Sequence, residues 1–459
     1  MAAQAALPAC KILALQARLS ALPIKNMQII RYPKKENWQE ILARPVCSTK
    51  SLERHVQNIL NAVQKDGDEA VRHFTKVLDK VELDDFAVGE DEFAEAETRI
   101  SAELKNAIQI AKANIEKFHA AQCEKPEIIE TTKDVFCWRK SVAIEKVGLY
   151  IPAGTAPLFS TVLMLAVPAK LAGCREIILC SPPDSVCKIN PAILYTAKLC
   201  GVTQMFKIGG VQAVGAMAYG TETVPRVYKI FGPGNQFVTE AKQQISQTGT
   251  AIDMPAGPSE VAVLADETCY PSFVAADLLA QAEHGVDSQV LLVTTSEKVI
   301  DETLVELEKQ LARLPRRAIA EKSLENSKAV LAKDLDEAIE ILNEYAAEHL
   351  VIATKNADEA AEKIVNAGSI FIGNFSCESA GDYASGTNHT LPTGGFAKAF
   401  SGVSLDSFVK KISFQKLTAD GIKNLGGTIE CMAEAEGLEA HKNAVSLRLK
   451  EISCQNRLR

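Results

Sequence analysis

The sequence predicts two α/β domains, each a mainly parallel sheet covered by helices, on two observations: short β-rich runs, and helical stretches set between them. In the first series the strand candidates are "VGLYIP", "EIILCS", "QMFKIGG" and "VYKIFG", accompanied by the helical "TVLMLAVPAKLAG", "NPAILYTAKLCG" and "GNQFVTEAKQQIS". A second series, "EVAVLAD", "QVLLVTT", "LVIAT" and "SIFIGN", is again separated by helices. Such apolar runs suit strands buried on both faces of a parallel sheet. The boundaries fall near residues 148 and 260, giving a first domain over 148–259 and a second over 260–400.

The flanking regions read differently. "SLERHVQNILNAVQKDGDEAVRHFTKVLD" and "AELKNAIQIAKANIEKFHAAQ" carry apolar residues at three-and-four spacing, so 27–147 is a helical region, expected to pack on the second α/β domain. His55, His73 and His119 fall within these helices and read as surface or packing residues. Residues 401–459 read as amphipathic helix with little β signal and too little apolar surface to fold alone. They are expected to pack on the rest of the chain or across a dimer. The first 35 residues hold six basic and no acidic side chains, superficially like a transit peptide. Met27, however, opens "MQIIRYPKKENWQEILARP" like an ordinary start, so 1–26 is read as a disordered extension.

Composition narrows the function. With 459 residues, 47% of them hydrophobic, the chain can build sizeable cores. A net charge of −8, with no basic run interleaved with aromatics, argues against a nucleic-acid or anionic-membrane partner. The longest apolar stretch, "PLFSTVLMLAVPAKLAG", is broken by Pro168 and Lys170 before the roughly 20 residues a membrane span needs. Twelve scattered cysteines without a C-x-x-C pair fit reduced thiols in the cytoplasm. The expected partner is a small molecule.

Chemistry concentrates in a few places. "LLAQAEHG" sets Gln281 and His284 three residues apart at a helix end, about 4.5 Å along the axis, as either a metal half-site or a solvated helix end. "FGPGNQFVTEAK" places Gly232, Pro233 and Gly234 after a strand and Asn235 at a helix start: either an anion site or a tight turn with an ordinary N-cap. "YIPAGTAPLFS" is a second small-residue loop after a strand. Four of the seven histidines, His284, His349, His389 and His441, lie late in the chain at polar element boundaries. Imidazoles, a carboxylate and one further oxygen are a metal-ligand set, with Gln281, His284, Asp382 and His441 as candidates. Adjacent Glu348 and His349 both reach the start of a strand, whereas ligands in open parallel sheets usually sit at strand exits.

Taken together, "IFGPGN", "DMPAGPSEV", "LLAQAEHG", "AAEHL", "SAGDYASGTNHTLPTGG" and "AHKNAV", in this order and spacing, resemble the histidinol dehydrogenase family from about residue 27 to the C-terminus. The resemblance implies two incomplete Rossmann-like domains in a homodimer, a substrate of L-histidinol, and oxidation through an aldehyde to L-histidine with two NAD+ reduced. This is the last step of histidine biosynthesis. It further implies one Zn2+ per subunit on Gln281, His284, Asp382 and His441, with His349 as general base and Glu348 activating water. Ser259, His389 and Glu436 match substrate-binding positions, beside Gln281, His284, His349, Asp382 and His441. Tyr150, Gln212 and Asn235 match NAD contacts. The family's "YIPGG" stands here as "YIPAG", so Ala153 puts nicotinamide binding in doubt. Two rivals remain: a zinc hydrolase, which lacks an H-E-x-x-H helix here, and a binding module with a structural ion.

Overall fold

The computed structural model describes residues 27–45, 49–152 and 156–457. The expectations for 1–26 and for Ala153 lie outside the described residues. Strand β1 (Met27–Arg31) leads through a short helix (Trp38–Ile41) to three longer ones, Thr49–Phe74, Glu90–Arg99 and Ala102–Ala120. Two strands follow, β2 (Ile129–Thr132) and β3 (Val135–Ala143).

The first α/β sheet contains β4 (Lys146–Tyr150), β5 (Glu176–Ser181), β6 (Gln204–Lys207), β7 (Lys229–Phe231) and β8 (Ala251–Ile252). Its order is β6-β5-β4-β7-β8, with every pair parallel. The second holds β9 (Glu260–Ala265), β10 (Gln289–Thr294), β11 (Ser327–Leu331), β12 (His349–Ala353) and β13 (Ser369–Ile372). With β1 at one edge it runs β1-β11-β10-β9-β12-β13, again all parallel. The predicted fold class is therefore the observed one. Local chemistry sets the helix starts: Asn190 accepts from the Ala192 N–H with Pro191 in the first turn, and Asp334 accepts from the Glu337 N–H.

Three features differ from the expectations. Residues 27–147 are not wholly helical, since β1, β2 and β3 lie within them, and they do not pack mainly on the second domain: β1 and the segment Trp38–Leu42 are the described residues of this region in its hydrophobic core. The long helices cover the first domain instead, Thr49–Phe74 against Gly210–Tyr219 and Ala102–Ala120 against Phe159–Ala172. Amphipathic periodicity shows that a face is buried, not which sheet buries it. β11 is an unforeseen strand, because "SKAVL" is short and begins with two polar residues. The segment after residue 400 is not wholly helical: β14 (Val409–Leu417) pairs antiparallel along its whole length with β3, in a three-stranded sheet β14-β3-β2. Its lysines and glutamine mask the β signal because most of the strand faces solvent, and its partner lies far away in sequence.

Among the described residues no helix is long and apolar enough to cross a membrane. The stretch read as a buried helix is one: Phe159–Ala172 buries every residue from Ser160 to Ala169. The second sheet's topology also explains a strand-entrance site. In each βαβ unit the helix runs back against its strands, so the C-terminal end of helix Pro271–Ala282 returns to the starting edge of β9, β10 and β12. Gln281 and His284 therefore meet Glu348 and His349.

Candidate active site

His349 opens β12 and pairs in register with Val261 of β9 and Ser369 of β13. Glu348 and His349 are only 6% and 4% exposed, deep enough that every polar atom needs a partner. Glu260, the first residue of β9, supplies two. Its N–H donates to Glu348 Oε2 at 2.8 Å, and its carbonyl lies 3.3 Å from His349 Nδ1. A carbonyl only accepts, so Nδ1 carries a proton and faces it. Behind Glu348 the chain passes Gly368, where a Cβ would stand 2.5 Å from the Glu348 carbonyl oxygen, so only glycine permits this approach.

His349 Nε2 faces Asp382 Oδ1 at 3.3 Å, while Glu348 Oε2 and Glu378 Oε1 lie 3.6 and 3.9 Å from Nδ1. Burial works against charge on His349, but the Glu348 and Glu378 carboxylates outweigh it and hold the imidazole well above its usual range. Burial likewise pushes Glu348 and Glu378 upward, Glu378 strongly. Asp382 moves the other way: burial opposes its charge, and the neighbouring His349 overcomes that.

His349 Nε2, Asp382 Oδ1 and Glu378 Oε2 are buried without any hydrogen-bond partner. His349, Glu378 and Asp382 each offer a ligand atom, all within 4.8 Å of one another. Unpaired imidazole nitrogen and carboxylate oxygens converging in this way fit a divalent cation. Gln281, 1% exposed, lies in the last turn of its helix with Nε2 3.4 Å from Glu348 Oε2. Turned over, its amide pairs better, with nitrogen on Glu378 Oε1 and oxygen accepting from the Glu260 N–H at 2.8 Å. His284 stands just past the helix end, exposed.

His389 is committed to the protein at both nitrogens, Nδ1 to the Asp382 carbonyl at 2.9 Å and Nε2 to Thr161 Oγ1 at 3.1 Å. It holds the Asp382 turn and ties it to the first domain. Ser259, half-buried, immediately precedes Glu260, and its carbonyl accepts from the Gln289 N–H. Glu436 and His441 stand apart from this group. Both are exposed on a hairpin of helices Ala419–Ala435 and Glu439–Arg457, which packs on β2 and β14.

In the first domain, Tyr150 ends β4 and its hydroxyl accepts from the Gly210 N–H at 3.1 Å. Gln212 is fully buried, with Nε2 donating to Asp79 Oδ2 at 3.0 Å and Oε1 unpartnered. Asn235 caps helix Gln236–Ser246, accepting from the Phe237 and Val238 N–H groups, and remains exposed. The Gly232 peptide before it is clamped from both sides: its N–H donates to Asp253, and its carbonyl accepts from Lys242. The "FGPGN" loop is thus a tight turn with an N-cap.

Sequence reasoning missed Glu378, Glu260, Arg44 and Asp79. Glu378 had a signal: "ESAGD" spaces it four residues from Asp382, on one face of helix Glu378–Tyr383. The others act through contacts distant in sequence and left none.

Two parallel-sheet α/β domains, with a buried imidazole and carboxylates set at the strand entrances of one, define an α/β enzyme class. Comparison with known proteins gives the particular family. A family model described as histidinol dehydrogenase matches residues 42–449. Histidinol dehydrogenase from Bacteroides fragilis (strain YCH46) is 62% identical over 93% of this chain and 100% of its own length. The same-named protein of Escherichia coli O6:H1 is 50% identical over 92% of this chain and 96% of its own. The crystal structure of histidinol dehydrogenase from Elizabethkingia anophelis superposes with a TM-score of 0.91 at 55% identity, covering 93% of this chain and 99% of that one. The chain belongs to the histidinol dehydrogenase family, and is an oxidoreductase.

Proposed function

We propose that this chain is a zinc-dependent, NAD-linked histidinol dehydrogenase. It oxidises L-histidinol to L-histidine through the aldehyde, in the cytoplasm, with two NAD+ reduced. The observation that carries this reading is the state of His349: Nδ1 is held by the Glu260 carbonyl, and Nε2 is bare. Loss of hydride from an alcohol carbon requires removal of the hydroxyl proton, and Nε2 is the buried imidazole nitrogen placed to take it when the ring is deprotonated. Glu348, anchored by the Glu260 N–H, is the carboxylate that draws a proton from water as it adds to the aldehyde. The resulting hydrate is the second alcohol to be oxidised, and the protons leave through the same two side chains.

A bound zinc ion would supply Lewis-acid polarisation of the substrate. Gln281, His284 and Asp382 of one subunit and His441 of the other would hold it. When bound, NAD+ accepts hydride, with Tyr150, Gln212 and Asn235 lining its site. Support for a homodimer comes from the hairpin: Met432, Leu438 and Leu447 are exposed apolar side chains around Glu436 and His441, so this element suits a partner surface. Ser259, His389 and Glu436 complete the substrate pocket in this reading, His389 after releasing Thr161.

A second ligand set, His349, Glu378 and Asp382, is favoured by their convergence. It would make His349 a ligand rather than a base. Purified protein with NAD+ and L-histidinol tests the main reading by the NADH formed per substrate consumed. A ratio near two supports it, a ratio of one reduces it to a simple alcohol dehydrogenase, and no NADH overturns it.

A further inference from the structure

Both residues assigned to the chemistry, Glu348 and His349, hang on the backbone of one residue, Glu260, through its N–H and its carbonyl. What fixes Glu260 is therefore part of the site. Its own carboxylate is buried and receives three donors: Arg44 Nε at 2.6 Å, Arg44 Nη2 at 2.9 Å, and the Gly394 N–H at 2.8 Å. The bidentate fork is a geometry only arginine supplies. Arg44 Nη2 also donates to the Tyr345 carbonyl at 2.6 Å, and its guanidinium lies over the Tyr345 ring, 4.0 Å from the centroid. Tyr345 ends the helix that leads, through the left-handed Ala346, into Glu348 and His349. Its hydroxyl is tied in turn to Gln289 Oε1 at 2.9 Å, at the start of β10. One guanidinium thus joins the start of β9, the approach to β12 and the loop at Gly394. Arg44 itself lies outside both sheets, in the segment between helix Trp38–Ile41 and helix Thr49–Phe74.

We propose that Arg44 is a positioning residue for the oxidation: through the Glu260 carboxylate and the Tyr345 carbonyl, it holds the backbone that orients His349 and Glu348. Arg44 does not touch the reacting atoms in this scheme. If the Glu260 backbone shifts, His349 Nδ1 loses its acceptor and Glu348 its donor together. Such a sub-ångström change costs rate more than binding, because Gln281, Asp382 and His389, among the proposed substrate contacts, lie on other elements, and only Ser259 and His349 adjoin the shifted backbone. A displacement near 1 Å is worth about 100-fold in rate.

The inference rests on the proposed function, and the experiment separates the two. Wild type, Arg44→Lys and Arg44→Ala are assayed with L-histidinol and NAD+, alongside their melting temperatures. Arg44→Lys keeps the charge and loses the fork. It is expected to lower kcat by about 10-fold to 100-fold while KM for histidinol stays within about threefold and the melting temperature falls little. In Arg44→Ala, millimolar guanidinium is expected to restore part of kcat, whereas sodium chloride at equal ionic strength is not. Unchanged kcat in Arg44→Lys overturns the proposal, as does a loss of kcat that only follows a falling melting temperature and no guanidinium rescue. If Arg44→Ala does not fold, the kcat and KM of Arg44→Lys decide alone. An inactive wild type overturns the functional reading, and this inference with it. An active wild type with an unaffected Arg44→Lys overturns this inference alone.

Discussion

His349 Nε2 and Asp382 Oδ1 face each other at 3.3 Å, both buried and both without a hydrogen-bond partner. The two atoms are the imidazole and carboxylate of one candidate site. The question is whether the imidazole takes a proton there or a metal ion.

Replacing His349 by Asn answers it. The Asn amide can still donate toward the Glu260 carbonyl, but it offers no basic nitrogen. Turnover with L-histidinol is expected to fall by roughly 10²–10⁴-fold, the range for losing a general base, while bound zinc stays near one per subunit. Metal analysis of the purified variant, alongside its kcat, is the check. Loss of zinc would make His349 a ligand.

Zinc removal tests the other half of the pair. Glu348, Glu378 and Asp382 surround His349 in the interior, so a cation binding the folded chain alone should stabilise it, by about 2.7 kcal/mol at a hundredfold excess over Kd. Thermal melts with and without a chelator are expected to show that gain in wild type and in Glu378→Gln, but not in Asp382→Asn. A lost gain in Glu378→Gln would shift the ligand set toward the cluster of His349, Glu378 and Asp382.

How much of this was readable beforehand depended on how local each signal was. The alternating runs from Lys146 to Ile372 gave the two sheets, because an apolar strand between helices carries its own evidence. β14 did not: "VKKISFQKL" becomes a strand only beside β3, far back in the chain. At the site, Gln281, His284, Glu348 and His349 stood out as polar residues at element ends. Asp382 gained its particular meaning from the family resemblance. Glu260 and Arg44 stayed hidden, since Glu260 acts through its peptide and Arg44 through a partner 216 positions away.

Asp79 gives a pH prediction away from the proposed metal site. Burial raises its carboxyl from 3.8 to about 6, despite hydrogen bonds from Gln212 and Gly209. Between these values the folded chain holds a proton that the unfolded chain has released, so stability attributable to Asp79 falls as pH rises through that window. Asp79→Asn removes the titration while keeping an acceptor for Gln212. Its melting temperature relative to wild type is expected to rise from about pH 4 to about pH 6 and to level off above. A difference that stays flat with pH would show that the Asp79 carboxyl titrates normally.

The last prediction concerns Glu436 and His441, which one chain leaves exposed on its C-terminal hairpin, away from the Asp382 cluster. The hairpin packs on β2 and β14, so folding back onto the site would break those contacts. Supply from the partner subunit requires no such rearrangement. Two inactive variants, His349→Asn and His441→Asn, are mixed under conditions that let subunits exchange. With shared sites, a mixed dimer has one site carrying both lesions and one carrying neither, so activity should return to at most half of wild type per mixed dimer. With sites built from single chains, every site keeps one lesion and activity stays absent. Heterodimers demonstrated by differential tagging, with no recovered NADH formation, would place His441 outside the partner's site while leaving the roles of His349 and Glu348 untouched.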